Sequence, residues 1–214
     1  MPTKGLIFDL DGTLVDTLGD LTDSMNAALG HLGRPQRTAD QCRRYIGHGL
    51  RKYAERALGP DYIHLTDALM EHMIAHYRGN CLNKTAAFSG MQQTIQTLAA
   101  QGLRLAVLTN KNQAPSETIT RHFFPGTFDP IVGAAEGRTP KPDPQTTLDI
   151  INGWGVDKNE VLFIGDSEAD IQTALNAGIR PIGCLWGFRD TDILRGAGAQ
   201  TLIQRPPQIL DIIR

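Results

Sequence analysis

A chain of 214 residues with a formal net charge of -2 and a pI near 6.3 has room for one domain, or one domain carrying a sizeable insertion. Its core needs neither disulfides nor a structural metal. The near-neutral charge gives no global pull toward nucleic acid or an anionic membrane, and no apolar run approaches the length that spans a bilayer.

The first apolar run, residues 6–8, predicts a strand and ends in Asp9-Leu10-Asp11-Gly12-Thr13. Side chains two apart at a strand end fall on one side, so Asp9 and Asp11 can address a single reacting centre, and Gly12 lets the backbone turn. From these residues alone a strand followed by an Asp-Gly turn reads equally well. From 16 to 90 only amphipathic helical spacing appears, at about 18–32, 39–45, 50–58 and 65–81. This predicts a helical insertion, residues 17–84, hung over the end of the first strand as a lid, with residues 1–16 and 85–214 forming the core. Further strand patterns follow at 103–108, 130–134, 161–164, 181–185 and 201–203. They alternate with helical patterns at 91–100, 115–124, 144–154, 168–177 and 207–213. Continuous apolar strands separated by helices predict an α/β fold: a doubly wound, Rossmann-like parallel sheet with right-handed crossovers. With the first strand so near the start of the sequence, no signal peptide is expected. Cys42, Cys81 and Cys184 are widely spaced and odd in number. They predict neither a disulfide framework nor a Cys-pair metal site, so a reducing, cytoplasmic setting is expected.

In such sheets ligands bind beyond the carboxyl ends of the strands. There the chain delivers Asp9 and Asp11, then Thr109, Asn110 and Lys111, then Lys141, and finally Asp166 through Asp170. Like charges 4 Å apart repel by about 4 kcal/mol at an effective dielectric near 20, so Asp9, Asp11, Asp166 and Asp170 need cations beside them. Lys141 is one. A divalent ion is the natural second, and Mg²⁺ suits it because it keeps waters and shares a substrate phosphate. A site of this kind serves phosphoryl transfer. Ser167 to Asp170 also reads as a capping box, so Asp170 is given both roles and Asp166 is assigned to the metal. His72 and His76 have metal-ligand spacing but no third partner. Asp20 and Asp23, and most of Arg43, Arg44, Arg51, Lys52 and Arg56, read as solvated helix faces.

These four segments, in this order, resemble the motifs of the haloacid dehalogenase superfamily. Leu108-Thr109-Asn110-Lys111, the Trp186-Gly187-Phe188 loop and the helix from Asp192 to Gly198 resemble its phosphoglycolate phosphatase-like branch. The resemblance implies an Asp9 nucleophile that forms an aspartyl-phosphate, and Asp11 as general acid and then base. Thr109 and the Asn110 main-chain N–H would hold phosphate oxygens, and Lys141 would neutralise charge. Mg²⁺ would be bound by the Asp9 carboxylate, the Asp11 main-chain carbonyl and Asp166, with Asp170 mainly orienting what surrounds it. The family's cap also implies that residues 46–51 dip into the site. Arg51, with His48, would there recognise an anionic or hydroxylated part of the substrate. The implied partner is a small, acidic phosphorylated metabolite such as phosphoglycolate. A phosphomutase, a pyrophosphatase and a non-catalytic binding scaffold are the alternatives. Residues 85–90 depart from the aromatic-proline linker common in that branch.

Overall fold

The computed structural model describes residues 2–213. Strand β1 (Gly5–Phe8) is followed by a two-residue strand β2 (Val15–Asp16). Four helices come next: α1 (Leu18–His31), α2 (Ala39–Tyr45), α3 (Gly49–Leu58) and α4 (Thr66–Asn80). Then follow β3 (Ala86–Ala87), α5 (Met91–Ala100), β4 (Arg104–Asn112), α6 (Gln113–Phe123), β5 (Ile131–Ala134) and α7 (Gln145–Trp154). The chain closes with β6 (Val161–Gly165), α8 (Glu168–Ala177), β7 (Arg180–Cys184), α9 (Thr191–Gly196), β8 (Thr201–Ile203) and α10 (Ile209–Ile212). Six strands form a parallel sheet in the order β5-β4-β1-β6-β7-β8. Among the described residues no helix is long and apolar enough to cross a membrane.

Alternation along the strands builds two apolar layers. Leu6 and Phe8 pack on one side of the sheet with Leu105, Val107, Leu162 and Ile164, and Ile7 on the other with Ala106, Leu108, Val161 and Phe163. Register then places the chemistry. Phe8 lies beside Val107 on one side and Ile164 on the other, so Asp9, the residue after Phe8, is flanked by Thr109 and Asp166, each two residues beyond those partners.

Three expectations change. The stretch read as purely helical begins and ends in strand: β2 and β3 pair antiparallel, Val15 with Ala87 and Asp16 with Ala86. This ribbon ties the two connections of the helical layer together, and two-residue strands are too short to show a period. Strand β4 continues through Thr109–Asn112 instead of stopping at 108, with its register to β5 broken between Leu108 and Asn112. Asp20 is buried rather than solvated: its carboxylate accepts from the main-chain N–H of Lys84 and Thr85 and from the Thr85 hydroxyl. A polar residue on α1 is thereby the anchor of the second connection. Asp23 does face solvent, pairing with Lys84 at 2.6 Å. His72 stacks on His31, and His76 Nδ1 meets the Ser24 hydroxyl at 2.9 Å, so both histidines join α4 to α1.

Candidate active site

Asp9 is buried where β1 ends. Lys141 Nζ stands 2.9 Å from Asp9 Oδ1 and 2.5 Å from Asp170 Oδ1, and donates to the Leu108 carbonyl at 3.0 Å. Its approach to Asp9 is an ion pair without hydrogen-bond alignment, which leaves Asp9 Oδ1 buried with no aligned donor. Asp170 Oδ2 accepts from the Ser167 N–H at 2.9 Å and from the Ser167 hydroxyl at 2.7 Å. One carboxylate therefore closes the first turn of α8 and holds Lys141. Asp166 accepts from the Thr13 hydroxyl at 3.0 Å and the Phe188 N–H at 2.7 Å. Gly12, at φ +82, lets the loop pass beside it; a side chain there would run into the Asp166 carboxylate.

Oxygens of Asp9, Asp166 and Asp170 lie within 4.8 Å of one another. Burial, reinforced by the Asp170 charge, pushes Asp9 up to about 6 and Asp166 up to about 8. For Lys141 burial works against the charge, but Asp170 and Asp9 outweigh it and hold the ammonium above its ordinary range. Negative charge is thus in excess, hard oxygen donors converge, and one of them has no donor of its own. That set fits a divalent cation such as Mg²⁺. The Asp11 side chain stands apart from the trio, accepting from the Thr17 hydroxyl at 2.8 Å and from Lys111 Nζ at 3.1 Å through both oxygens.

Thr109 is buried in the same cluster, its hydroxyl accepting from the Lys111 N–H at 3.2 Å. The Asn110 side chain grips the Lys141 main chain from both ends, accepting from its N–H at 2.8 Å and donating to its carbonyl at 3.2 Å. It also donates to the Gly47 carbonyl at 3.1 Å. A cavity of about 230 Å³ runs from Asp9, Asp11 and Asp166 up to Leu50, Tyr53, Met73 and Tyr77 of the helical layer. Gly47 and Gly49 line it, so the turn between α2 and α3 does reach the site. The two side chains expected to read substrate there point elsewhere: His48 Nε2 pairs with Glu168 at 3.0 Å, and Arg51 pairs with Asp67 at 2.6 Å on the exposed face of the layer. Neither lines the cavity, because the helical turn that brings Gly49 and Leu50 inward carries Arg51 outward.

The sequence profile of the haloacid dehalogenase-like hydrolases matches residues 6–184. The chain belongs to that family. It is 34% identical to the phosphoglycolate phosphatase of Mesorhizobium japonicum, over 88% of this chain and 85% of that protein. With the phosphoglycolate phosphatase of Pseudomonas putida it shares 32% identity, over 86% and 70%. A crystal structure from Lactobacillus delbrueckii subsp. bulgaricus, provisionally described as a phosphoglycolate phosphatase, matches with a TM-score of 0.93 at 29% identity, covering 100% of this chain and 99% of that one.

In this hydrolase the helical layer is fastened to the sheet by an exchange of arginines that the sequence did not mark. Arg43 of α2, read as solvated, donates to the carbonyls of Gly187 at 2.7 Å and Phe188 at 3.1 Å. In return Arg189 is buried, and its guanidinium donates to the carbonyls of Arg43 at 3.0 Å and Ile46 at 2.5 Å while pairing with Glu168 at 3.1 Å. Hydrogen bonding from His48 and the Arg189 charge draw Glu168 down to about 2, against the pull of burial. Because the Phe188 N–H also holds Asp166, one loop touches both the layer and the acidic cluster. Arg189→Met should free the turn at 46–48: amide exchange there rises at least tenfold and kcat/KM falls about tenfold or more, since a helical layer loosened from the sheet lets water into the cavity. Unchanged exchange in the variant would show that the arginines do not hold the helical layer.

Proposed function

We propose that this hydrolase releases phosphate from small acidic phosphomonoesters, phosphoglycolate among them, with Mg²⁺ as its cation. The observation that carries the reading is the buried Asp9 carboxylate, one oxygen without an aligned donor and an ammonium 2.9 Å away. A carboxylate stripped of hydrogen-bond donors beside a cation is a nucleophile ready for phosphorus. Asp9 attacks in line, the bond from phosphorus to the ester oxygen breaks, and an aspartyl-phosphate forms. Asp11 leaves Lys111 and Thr17, takes up a proton from solvent as it loses the ammonium, and gives that proton to the departing alkoxide. It then takes a proton from the water that attacks the aspartyl-phosphate, returning Asp9 and freeing phosphate. Thr109 and the Asn110 main-chain N–H bind the phosphoryl oxygens, and Lys141 balances charge on Asp9 and on the group in transfer. A divalent ion held by Asp9, Asp166 and the Asp11 carbonyl, with Asp170 orienting its surroundings, would supply positive charge to those oxygens. Residues 17–84 act as the lid that excludes water while the phosphoryl group moves. Relatives named phosphoglycolate phosphatases support a small, acidic leaving group.

The test is phosphate release from a panel of phosphoglycolate, sugar phosphates, nucleotides, pyrophosphate and an aryl phosphate, in Mg²⁺ and in EDTA. Release that needs Mg²⁺ and is fastest for a small carboxylated ester is expected. A folded protein that releases nothing in Mg²⁺ overturns the reading.

A further inference from the structure

Beyond the phosphoryl end, the cavity is walled mostly by apolar side chains, among them Leu50, Met73 and Pro115, and into this wall the chain places a buried lysine. Lys111 has a side chain only 5% exposed, and two of its three protons go to the Asp11 oxygens. Its ammonium also lies 4.5 Å above the Tyr77 ring. The Tyr77 hydroxyl lies near enough to help hold that charge. It is nevertheless buried without an aligned hydrogen bond, although Tyr77 lines the same cavity, and a buried donor left unmade is costly. An ammonium held by one carboxylate and a phenol without an aligned hydrogen bond thus stand on one wall, and that carboxylate is the one that serves the leaving oxygen.

We propose that Lys111 and Tyr77 together bind a carboxylate borne on the first or second carbon of the leaving group. This inference rests on the phosphomonoesterase reading above and adds to it the residues that select the substrate. Reach sets the limit. Lys111 Nζ is 3.1 Å from Asp11, and Asp11 must come within about 2.6–3.2 Å of the ester oxygen to protonate it. Asp11 reaches the ester oxygen by swinging off Lys111, so ammonium and ester oxygen both lie within the sweep of one aspartate side chain. A carboxylate one or two carbons away bridges that gap, and a charge further along the chain overshoots it. On binding, the substrate carboxylate takes the place of Asp11 on Lys111, so the swing of Asp11 toward the ester oxygen leaves no buried charge unpaired. A neutral leaving group offers Lys111 nothing in exchange.

Two comparisons test this. In the wild-type protein, 3-phosphonopropionate, a non-hydrolysable carboxylate mimic, should bind about 10–100-fold more tightly than propylphosphonate by calorimetry, the span of one or two hydrogen bonds to charge. Phosphoglycolate should exceed ethyl phosphate in kcat/KM by a similar factor. Lys111→Met slows both esters, because Asp11 loses its partner, but should bring their ratio to within about threefold of unity. Tyr77→Phe removes only that hydroxyl. It should lower kcat/KM for phosphoglycolate about three- to tenfold more than for ethyl phosphate while leaving Tm equal or higher, which a merely structural tyrosine would not do. Equal binding of the two phosphonates by the wild type overturns the proposal, and so does a ratio retained in both variants. Should the wild type hydrolyse neutral and carboxylated esters alike, the phosphatase reading stands and this one falls; should it hydrolyse neither, both fall.

Discussion

Asp9→Asn should abolish phosphate release and, in the metal-free protein, raise the melting temperature. The loss of activity is expected to be on the order of 10⁴-fold or more, as when a nucleophile is removed from a preformed site. The stability gain follows from the crowding. Burial and Asp170 lift Asp9 to about 6, so the folded state holds a proton there more tightly than the unfolded chain does. Stability from this group is whole below its unfolded value near 3.8 and is lost as pH rises through about 6. Above that pH the ionised Asp9 works against folding, and a neutral isostere should relieve about 1–2 kcal/mol, or roughly 2–8 °C in a domain of this size. The gain should nearly vanish near pH 3.5, where the carboxyl is protonated in the folded state and mostly protonated in the unfolded one, and melting curves in EDTA across pH 3.5–8 measure it. A variant that melts below the wild type at pH 8 would mean that the Lys141 ion pair outweighs the repulsion. Retained turnover would remove Asp9 from the chemistry.

What can be seen from the sequence, and what cannot, divides along contact distance. Strands β1 and β6 are visible because a central parallel strand is covered on both faces and must be apolar throughout. Helix α8 is legible in full, since Glu168 to Ala177 opens on Ser-x-x-Asp and closes on Gly178 in a left-handed turn. Strand β4 misleads after Leu108 because Thr109-Asn110-Lys111-Asn112 is polar, although it continues as strand. Polarity there reflects the site, not a loop. The errors over Asp20 and Arg43 share a cause. On an amphipathic helix a charged side chain is solvated by default, and only the folded chain brings Thr85 to Asp20 or Gly187 to Arg43. Lys111 is visible as part of a motif, yet its burial depends on Tyr77 arriving from α4 and Asp11 from beyond β1. Arg51 misleads in the opposite sense: the turn beside it reaches the site, but one residue further along the helix faces solvent.

Lys141→Met should be the most destabilising substitution in the cluster and should also stop hydrolysis. The ammonium is 2% exposed and sits between Asp9 and Asp170, so its removal leaves two carboxylates buried beside Asp166 with no cation. Breaking a buried ion pair from one side costs about 3–5 kcal/mol, which corresponds to roughly 6–20 °C here. A methionine fills nearly the same volume, so little of that loss is attributable to a void. Two further measurements separate charge from packing. Asp170→Asn added to Lys141→Met should recover part of the lost melting temperature, because it withdraws one of the stranded charges, whereas the same change in the wild type should lower it. Mg²⁺ should raise the melting temperature more in Lys141→Met than in the wild type, since in the variant the ion is the sole positive charge the trio can acquire. A single-variant loss below about 2 °C, or a double variant less stable than either parent, would mean that Lys141 is held by packing and the carboxylates are not competing for it.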